Sequence, residues 1–117
     1  MSQDHEFCPV HYALQVIGGK WKLLIVWNLL SSDKRFNELQ RAIGDISTKV
    51  LSDQLKQLEA DGVLTRHATE TRPPQVTYAL TPFGYGLEPV MQAMYSWANE
   101  RVDQRPITPR TVPRVIG

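Results

Sequence analysis

The sequence predicts a mainly α-helical domain carrying one small β-hairpin. Three observations predict it. Apolar residues recur at helical spacing through the first half of the chain, two β-prone runs bracket Glu70-Thr71-Arg72-Pro73-Pro74, and one further apolar-rich helical stretch follows them. The expected order is four helices, a hairpin and a last helix.

The first helix starts at Cys8-Pro9, with the proline at the first helical position, and Val10, Leu14 and Ile17 fall at i, i+4 and i+7 before Gly18-Gly19 ends it. The second runs from Lys20 to Leu30. It carries Trp21, Leu24, Ile25, Trp27 and Leu29, more apolar surface than one stripe requires, which places it at the centre of the core. Ser31-Ser32-Asp33-Lys34 reads as a turn. Asn37, with Gln40 three residues on, is the expected capping box of a short third helix through Ile43, closed by Gly44. Ser47 caps a fourth helix that extends to Asp61 and stops at Gly62.

On that fourth helix Leu51, Leu55 and Leu58 share one face. At about 100° per residue, Lys49, Ser52, Asp53, Lys56 and Gln57 point the other way. Val63 to Thr69 and Gln75 to Leu80 form the hairpin, with a stiff tip that contains Arg72 and two prolines. Thr81-Pro82 starts the last helix, which runs to about Val102 with a break expected between Gly86 and Pro89. The domain is therefore 7–102, and 103–117, with Pro106, Pro109, Pro113 and three arginines, is a flexible tail.

Composition narrows the function classes. A chain of 117 residues, 42% hydrophobic and 21% charged, is one globular domain, and no apolar run approaches the roughly 20 residues that span a bilayer. The polar, acidic start lacks the pattern of a secretory signal, which argues for the cytoplasm. Cys8 is the only cysteine, so no internal disulfide forms. The net charge of +1 hides an uneven distribution: −2 over residues 1–19, balance over 20–100, and +3 over 101–117. Indiscriminate coating of nucleic acid needs a broad cationic surface, whereas focused binding by one basic face stays open.

A short helix, a tight turn at Gly44, a second helix with a polar outer face and a hairpin with a basic tip make up a winged helix-turn-helix pattern. A helix on a small rigid platform fits the major groove of duplex DNA, and side chains of its first turns reach base edges. Thr48, Lys49, Ser52 and Lys56 are the candidates here, with Arg72 of the wing available to the minor groove or its phosphates. Asp53 is unfavourable beside phosphate, and pairing with Lys49 or Lys56 is its expected role. The alternative is an ordinary surface helix and a solvated loop arginine, which gives a winged-helix protein-interaction module without specific DNA binding.

The last helix brings Leu87, Val90, Met91, Met94, Tyr95, Trp97, Ala98 and Val102, too wide an apolar surface for a helix that merely lies on a small domain. Part of it is expected to meet a second copy. Two copies about a two-fold axis would set two reading helices about 34 Å apart and select pseudo-palindromic sites.

Six blocks in order, Cys8-Pro9-Val10, Ile17-Gly18-Gly19-Lys20-Trp21, Arg35-Phe36-Asn37-Glu38-Leu39, Ile46-Ser47-Thr48-Lys49-Val50-Leu51-Ser52, Leu58-Glu59-Ala60-Asp61-Gly62 and Val76-Thr77-Tyr78-Ala79-Leu80-Thr81-Pro82-Phe83-Gly84, resemble the HxlR-type bacterial winged-helix transcriptional regulators, relatives of the MarR-like regulators. The resemblance covers residues 8 to about 98. It implies a homodimeric DNA-binding regulator joined through its first and last helices, with the helix at Ser47 reading DNA and the hairpin as wing; a repressor is the expected role. Carried over residue by residue, it implies DNA contacts at Arg35, Thr48, Lys49, Ser52, Lys56 and Arg72. The tail after Val102 lies outside the family pattern.

Cys8 sits where a helix N-terminus favours the reactive thiolate, with His11 one turn away. The resemblance implies a sensing role, since several family members detect oxidants, quinones or aldehydes through a cysteine at this place. An inert cap-region cysteine packed under the dimer helices is the competing reading. Any disulfide would join two chains or a small thiol. His5, Cys8 and His11 lack a fourth metal ligand, so neither metal nor other cofactor is expected. No nucleophile-base constellation, carboxylate pair or phosphate loop supports an enzyme, which leaves a cysteine-based redox enzyme as a weak third reading.

Overall fold

The computed structural model describes residues 7–101; the start of the chain, Val102 and the expected tail at 103–117 lie outside the described residues. Among the described residues, six helices and three short strands follow one another as α1 (Pro9–Ile17), α2 (Lys22–Ser31), β1 (Lys34–Arg35), α3 (Phe36–Ile43), α4 (Thr48–Ala60), β2 (Leu64–Ala68), β3 (Val76–Leu80), α5 (Pro82–Tyr85) and α6 (Glu88–Arg101). The fold is a winged helix-turn-helix.

Helix α2 is the centre, as its composition requires. Ile25, Val26 and Leu29 are fully buried and pack with Leu39 and Ile43 of α3, Leu51, Leu55 and Leu58 of α4, Leu64, Tyr78 and Leu80 of the sheet, and Met91 of α6. Asn28 is buried on the same helix, and its Nδ2 donates to the Leu24 carbonyl at 2.8 Å, so the polar side chain does not go unsatisfied. At the C-terminal end of α2, Lys34 Nζ donates to the Asn28 carbonyl at 2.7 Å and to Ser32 Oγ at 3.0 Å. A cation there complements the exposed carbonyls and the negative end of the helix dipole.

Two local expectations need correcting. The turn after α2 ends before Lys34, because Lys34 and Arg35 pair antiparallel with Tyr78 and Thr77 of β3 and form a third strand. The sheet therefore has the order β1-β3-β2, and the hairpin alone accounts for only two of its strands. Two residues are too few to show the alternation that marks a strand in a sequence. The capping residue of α3 is also Arg35 and not Asn37: Phe36 is the first helical residue, and Glu38 Oε1 accepts from the Arg35 backbone N–H at 2.8 Å. Glu38 at the third helical position thus fills the role expected of Gln40.

The remaining boundaries follow the local chemistry. Ser47 caps α4, its Oγ accepting from the Val50 N–H at 3.1 Å. The turn between α3 and α4 passes through Gly44 at φ +97°, a conformation that side chains rarely tolerate. The break in the C-terminal helical stretch falls at Gly86 and Leu87, dividing α5 from α6. Thr81 caps α5, with Oγ1 accepting from the Gly84 N–H at 3.0 Å.

Gly84 closes the join between α5 and Val63, at the entry to β2. A Cβ there would stand 2.1 Å from the Val63 carbonyl oxygen, which is backbone and cannot swing away. Gly84→Ala is expected to destabilise the domain by about 1–3 kcal/mol or more, read as a lower urea midpoint at fixed protein concentration with the slope unchanged.

Candidate nucleic-acid interface

Helix α4 has two chemically distinct sides. Leu51, Leu55 and Leu58 are 0%, 2% and 0% exposed, while Thr48, Lys49 and Lys56 are exposed and Ser52 and Asp53 are half-buried. The leucines fix the rotation of the helix about its own axis, so the polar residues face outward by geometry alone. Lys49 Nζ and Asp53 Oδ2 are 3.0 Å apart at i and i+4, which gives Asp53 the neighbour expected of it. Lys56 forms no ion pair among the described residues.

The start of α4 is tied to α3 by a residue that sequence reasoning assigned elsewhere. Gln40 Nε2 donates across the turn to the Ile46 carbonyl and to Thr48 Oγ1, each at 3.2 Å. The Gln40 carbonyl also accepts from the Gly44 N–H at 2.9 Å. A glutamine on a short amphipathic helix carries no pattern that announces a contact eight residues on; only the turn at Gly44 brings the two together.

Arg35 lies where β1 becomes α3. It is exposed, and its guanidinium donates to the Gln75 side-chain oxygen at the base of the wing. Gln75 in turn donates its backbone N–H to Thr69 Oγ1 at 2.9 Å, and Thr69 returns its N–H to the Gln75 carbonyl at 2.9 Å. Thr71 Oγ1 lies 2.6 Å from Thr69 Oγ1 and donates to the Pro73 carbonyl at 3.1 Å. The loop at 69–75 is thus held by its own hydrogen bonds, with Arg72 exposed on it and its guanidinium in no hydrogen bond or ion pair among the described residues. Gln75 is the second residue missed from the sequence: it couples Arg35 to the wing across 40 positions.

The expected residues accordingly fall in three places: Thr48, Lys49, Ser52 and Lys56 along α4, Arg35 at the strand-to-helix switch, and Arg72 on the wing. Exposed Arg66 of β2 adds a further cation to the wing, and the neighbouring His67 Nε2 lies 3.0 Å from Thr65 Oγ1.

Cys8 is exposed and forms the N-cap of α1. Its Sγ accepts from the backbone N–H of His11 at 3.5 Å, so the contact with His11 runs through the main chain and not through the imidazole. His5, the third member of the expected spacing, lies outside the described residues.

Residues 16–106 match the family model for the HxlR-like helix-turn-helix. The chain belongs to the HxlR-like helix-turn-helix family. YdeP of Bacillus subtilis, an uncharacterised HTH-type transcriptional regulator, is 43% identical over 103 residues, which is 88% of this chain and 80% of YdeP. Among solved structures, the redox regulator HypR in its oxidised form superposes with a TM-score of 0.77 at 41% identity, covering 86% of this chain and all of HypR. The reduced form of the Bacillus subtilis transcriptional regulator YodB superposes with a TM-score of 0.71 at 35% identity, covering 81% of this chain and 94% of YodB. These relatives are transcriptional regulators, so the HxlR-like membership makes this chain a regulator and not an enzyme.

The Lys49–Asp53 pair is solvated, its side chains 83% and 48% exposed. Asp53→Ala should therefore change stability by no more than about 0.5 kcal/mol in chemical denaturation, since an exposed i,i+4 pair is worth only a few tenths.

Proposed function

We propose that this chain is a homodimeric, sequence-specific DNA-binding regulator that acts as a repressor in the cytoplasm, laying α4 in the major groove of a pseudo-palindromic operator with the wing on the adjacent backbone. One observation carries the reading. A helix whose leucine face is wholly buried leaves Thr48, Lys49 and Lys56 exposed on its other face, in a domain that also presents Arg72 on a braced hairpin. Lysines on such a face neutralise phosphates and release condensed counterions, while the hydroxyls of Thr48 and Ser52 can meet phosphate oxygens or base edges. Arg35 serves the DNA backbone from the base of the wing.

Dimerisation is supported by apolar side chains left outside the core. Val10 and Leu14 of α1 and Val90, Met94 and Trp97 of α6 are all exposed, Leu14 by 61% and Trp97 by 63%. Patches of this kind mark interfaces. Leu14→Glu with Trp97→Glu is expected to weaken self-association at least about tenfold in sedimentation equilibrium and to leave the helical content of the core intact.

Cys8 is the proposed switch. HypR is known in oxidised and reduced forms and YodB in reduced and diamide-treated forms, which makes thiol chemistry a reasonable property of the fold. An exposed thiol on α1 can add to the ring of a quinone, its proton ending on the quinone oxygen. Alternatively, two Cys8 thiols from two chains lose two protons and two electrons to an oxidant and form an intermolecular disulfide. Either product changes the end of a helix that carries part of the dimer surface.

The test is an anisotropy titration against the DNA upstream of the gene and a scrambled duplex at several salt concentrations. Selective binding is expected, with Lys49→Ala and Lys56→Ala each lowering the salt slope by about one. Quinone treatment should weaken binding by the wild type and leave Cys8→Ser unaffected. Selective binding indifferent to treatment would remove Cys8 as sensor, and duplex binding without selectivity or salt dependence would favour a protein-interaction module.

A further inference from the structure

We infer that Gln40, on the helix before the reading helix, is a positioning residue that sets the hydrogen-bond polarity of Thr48, so that Thr48 meets DNA as a donor. The inference rests on the reading of α4 as the DNA-contacting helix, and it follows from an inventory of hydrogens at the turn.

One atom of the Gln40 amide lies 3.2 Å from both the Ile46 carbonyl oxygen and Thr48 Oγ1. A backbone carbonyl can only accept, so that atom must be the nitrogen. The amide nitrogen has two hydrogens and no lone pair to offer, so Thr48 Oγ1 must accept the second of them. The hydroxyl hydrogen of Thr48 is therefore not used by Gln40, and among the described residues it has no acceptor. Thr48 is exposed and is the first residue of α4, at the positive end of the helix. Gln40 occupies one of the two hydroxyl lone pairs while the hydrogen stays uncommitted, and the positive helix end draws acceptors, so presenting the hydrogen outward is favoured.

The partner is accordingly a hydrogen-bond acceptor on DNA. A phosphate oxygen and a base acceptor, such as the N7 and O6 of guanine or the O4 of thymine, share that chemistry. An amino group of cytosine or adenine offers the opposite polarity. Gln40 acts through Thr48 and does not itself touch DNA. The same amide bond to Ile46 also braces the turn, so a test must separate orientation of Thr48 from support of the turn.

The probe is a duplex that the wild-type protein selects from a random library. Gln40→Met keeps the length of the side chain and removes the N–H donors; it is expected to weaken binding about 3- to 10-fold. Thr48→Val removes the hydroxyl at nearly constant shape and should do the same. In the Thr48→Val background, Gln40→Met should add less than about twofold, whereas in a Thr48→Ser background its loss should persist. If Gln40→Met costs the same with threonine and with valine at position 48, it only supports the turn and the inference is overturned; no loss in any background overturns it equally. Thermal midpoints of all variants identify loss of folding, and if Gln40→Met is unstable, Gln40→Glu, whose carboxylate can only accept from Thr48, takes its place in the same cycle with the same expectations. A phosphate partner makes the loss equal on every duplex, and a base partner confines it to one position. Should the wild type select a duplex while Thr48→Val, Lys49→Ala and Lys56→Ala all bind it unchanged, the assignment of α4 fails first and the inference fails with it.

Discussion

The outer face of α4 is free to meet another molecule because the opposite face is fully committed. Burying Leu51, Leu55 and Leu58 removes three large apolar side chains from water, each worth about 1.5–3 kcal/mol, against α2, α3 and β2. A rotation of one residue, about 100°, would expose the leucines and bury Lys56 or Ser52, at a cost far above any surface contact. The orientation of the polar face is thus a consequence of core packing and needs no polar interaction to hold it. The Lys49–Asp53 pair, exposed to solvent, trims the charge of that face without determining its direction.

What the leucines do for the rotation of α4, Gln40 and the sheet do for its surroundings. The turn at Gly44 is bridged by the Gln40 amide, so α3 and α4 meet with their polar ends in register. Strand β1 then joins α3 to β3 and, through β3, to the wing. Because Arg35 is both the end of that strand and the cap of α3, and bonds Gln75 besides, the base of the wing and the start of the helix pair are one unit. A rigid spacing between a helix and a hairpin is what contact with neighbouring grooves demands.

Helix α1 stands apart from this unit. Of its nine residues only Ile17 is buried, and an isolated helix of that length is marginal in water. Its exposed Val10 and Leu14 have the same chemistry as the exposed face of α6, where Tyr95 stacks on Trp27 at 5.7 Å and Met94 and Trp97 stay open to solvent. Shared burial of these two faces would order α1, the helix that Cys8 caps.

Much of this was legible in the sequence because it depends on local chemistry. The leucine spacing at 51, 55 and 58, the cap at Ser47, the Thr81-Pro82 start and the break after Gly86 each reflect interactions within a few residues. The candidate side chains on α4 were legible for the same reason, since a helix of known start and buried face leaves no freedom in where the others point. The two-residue strand β1, the cap at Arg35 and the contacts of Gln40 and Gln75 were not. Each joins parts of the chain that have no periodic relation, and their hydrogen bonds exist only once the core has set α2, α3 and the sheet against one another. The sequence by itself determined which residues form helices and which faces are apolar; tertiary structure decided which polar groups meet across the turn and at the base of the wing, because those meetings follow from packing over distances that no local pattern encodes.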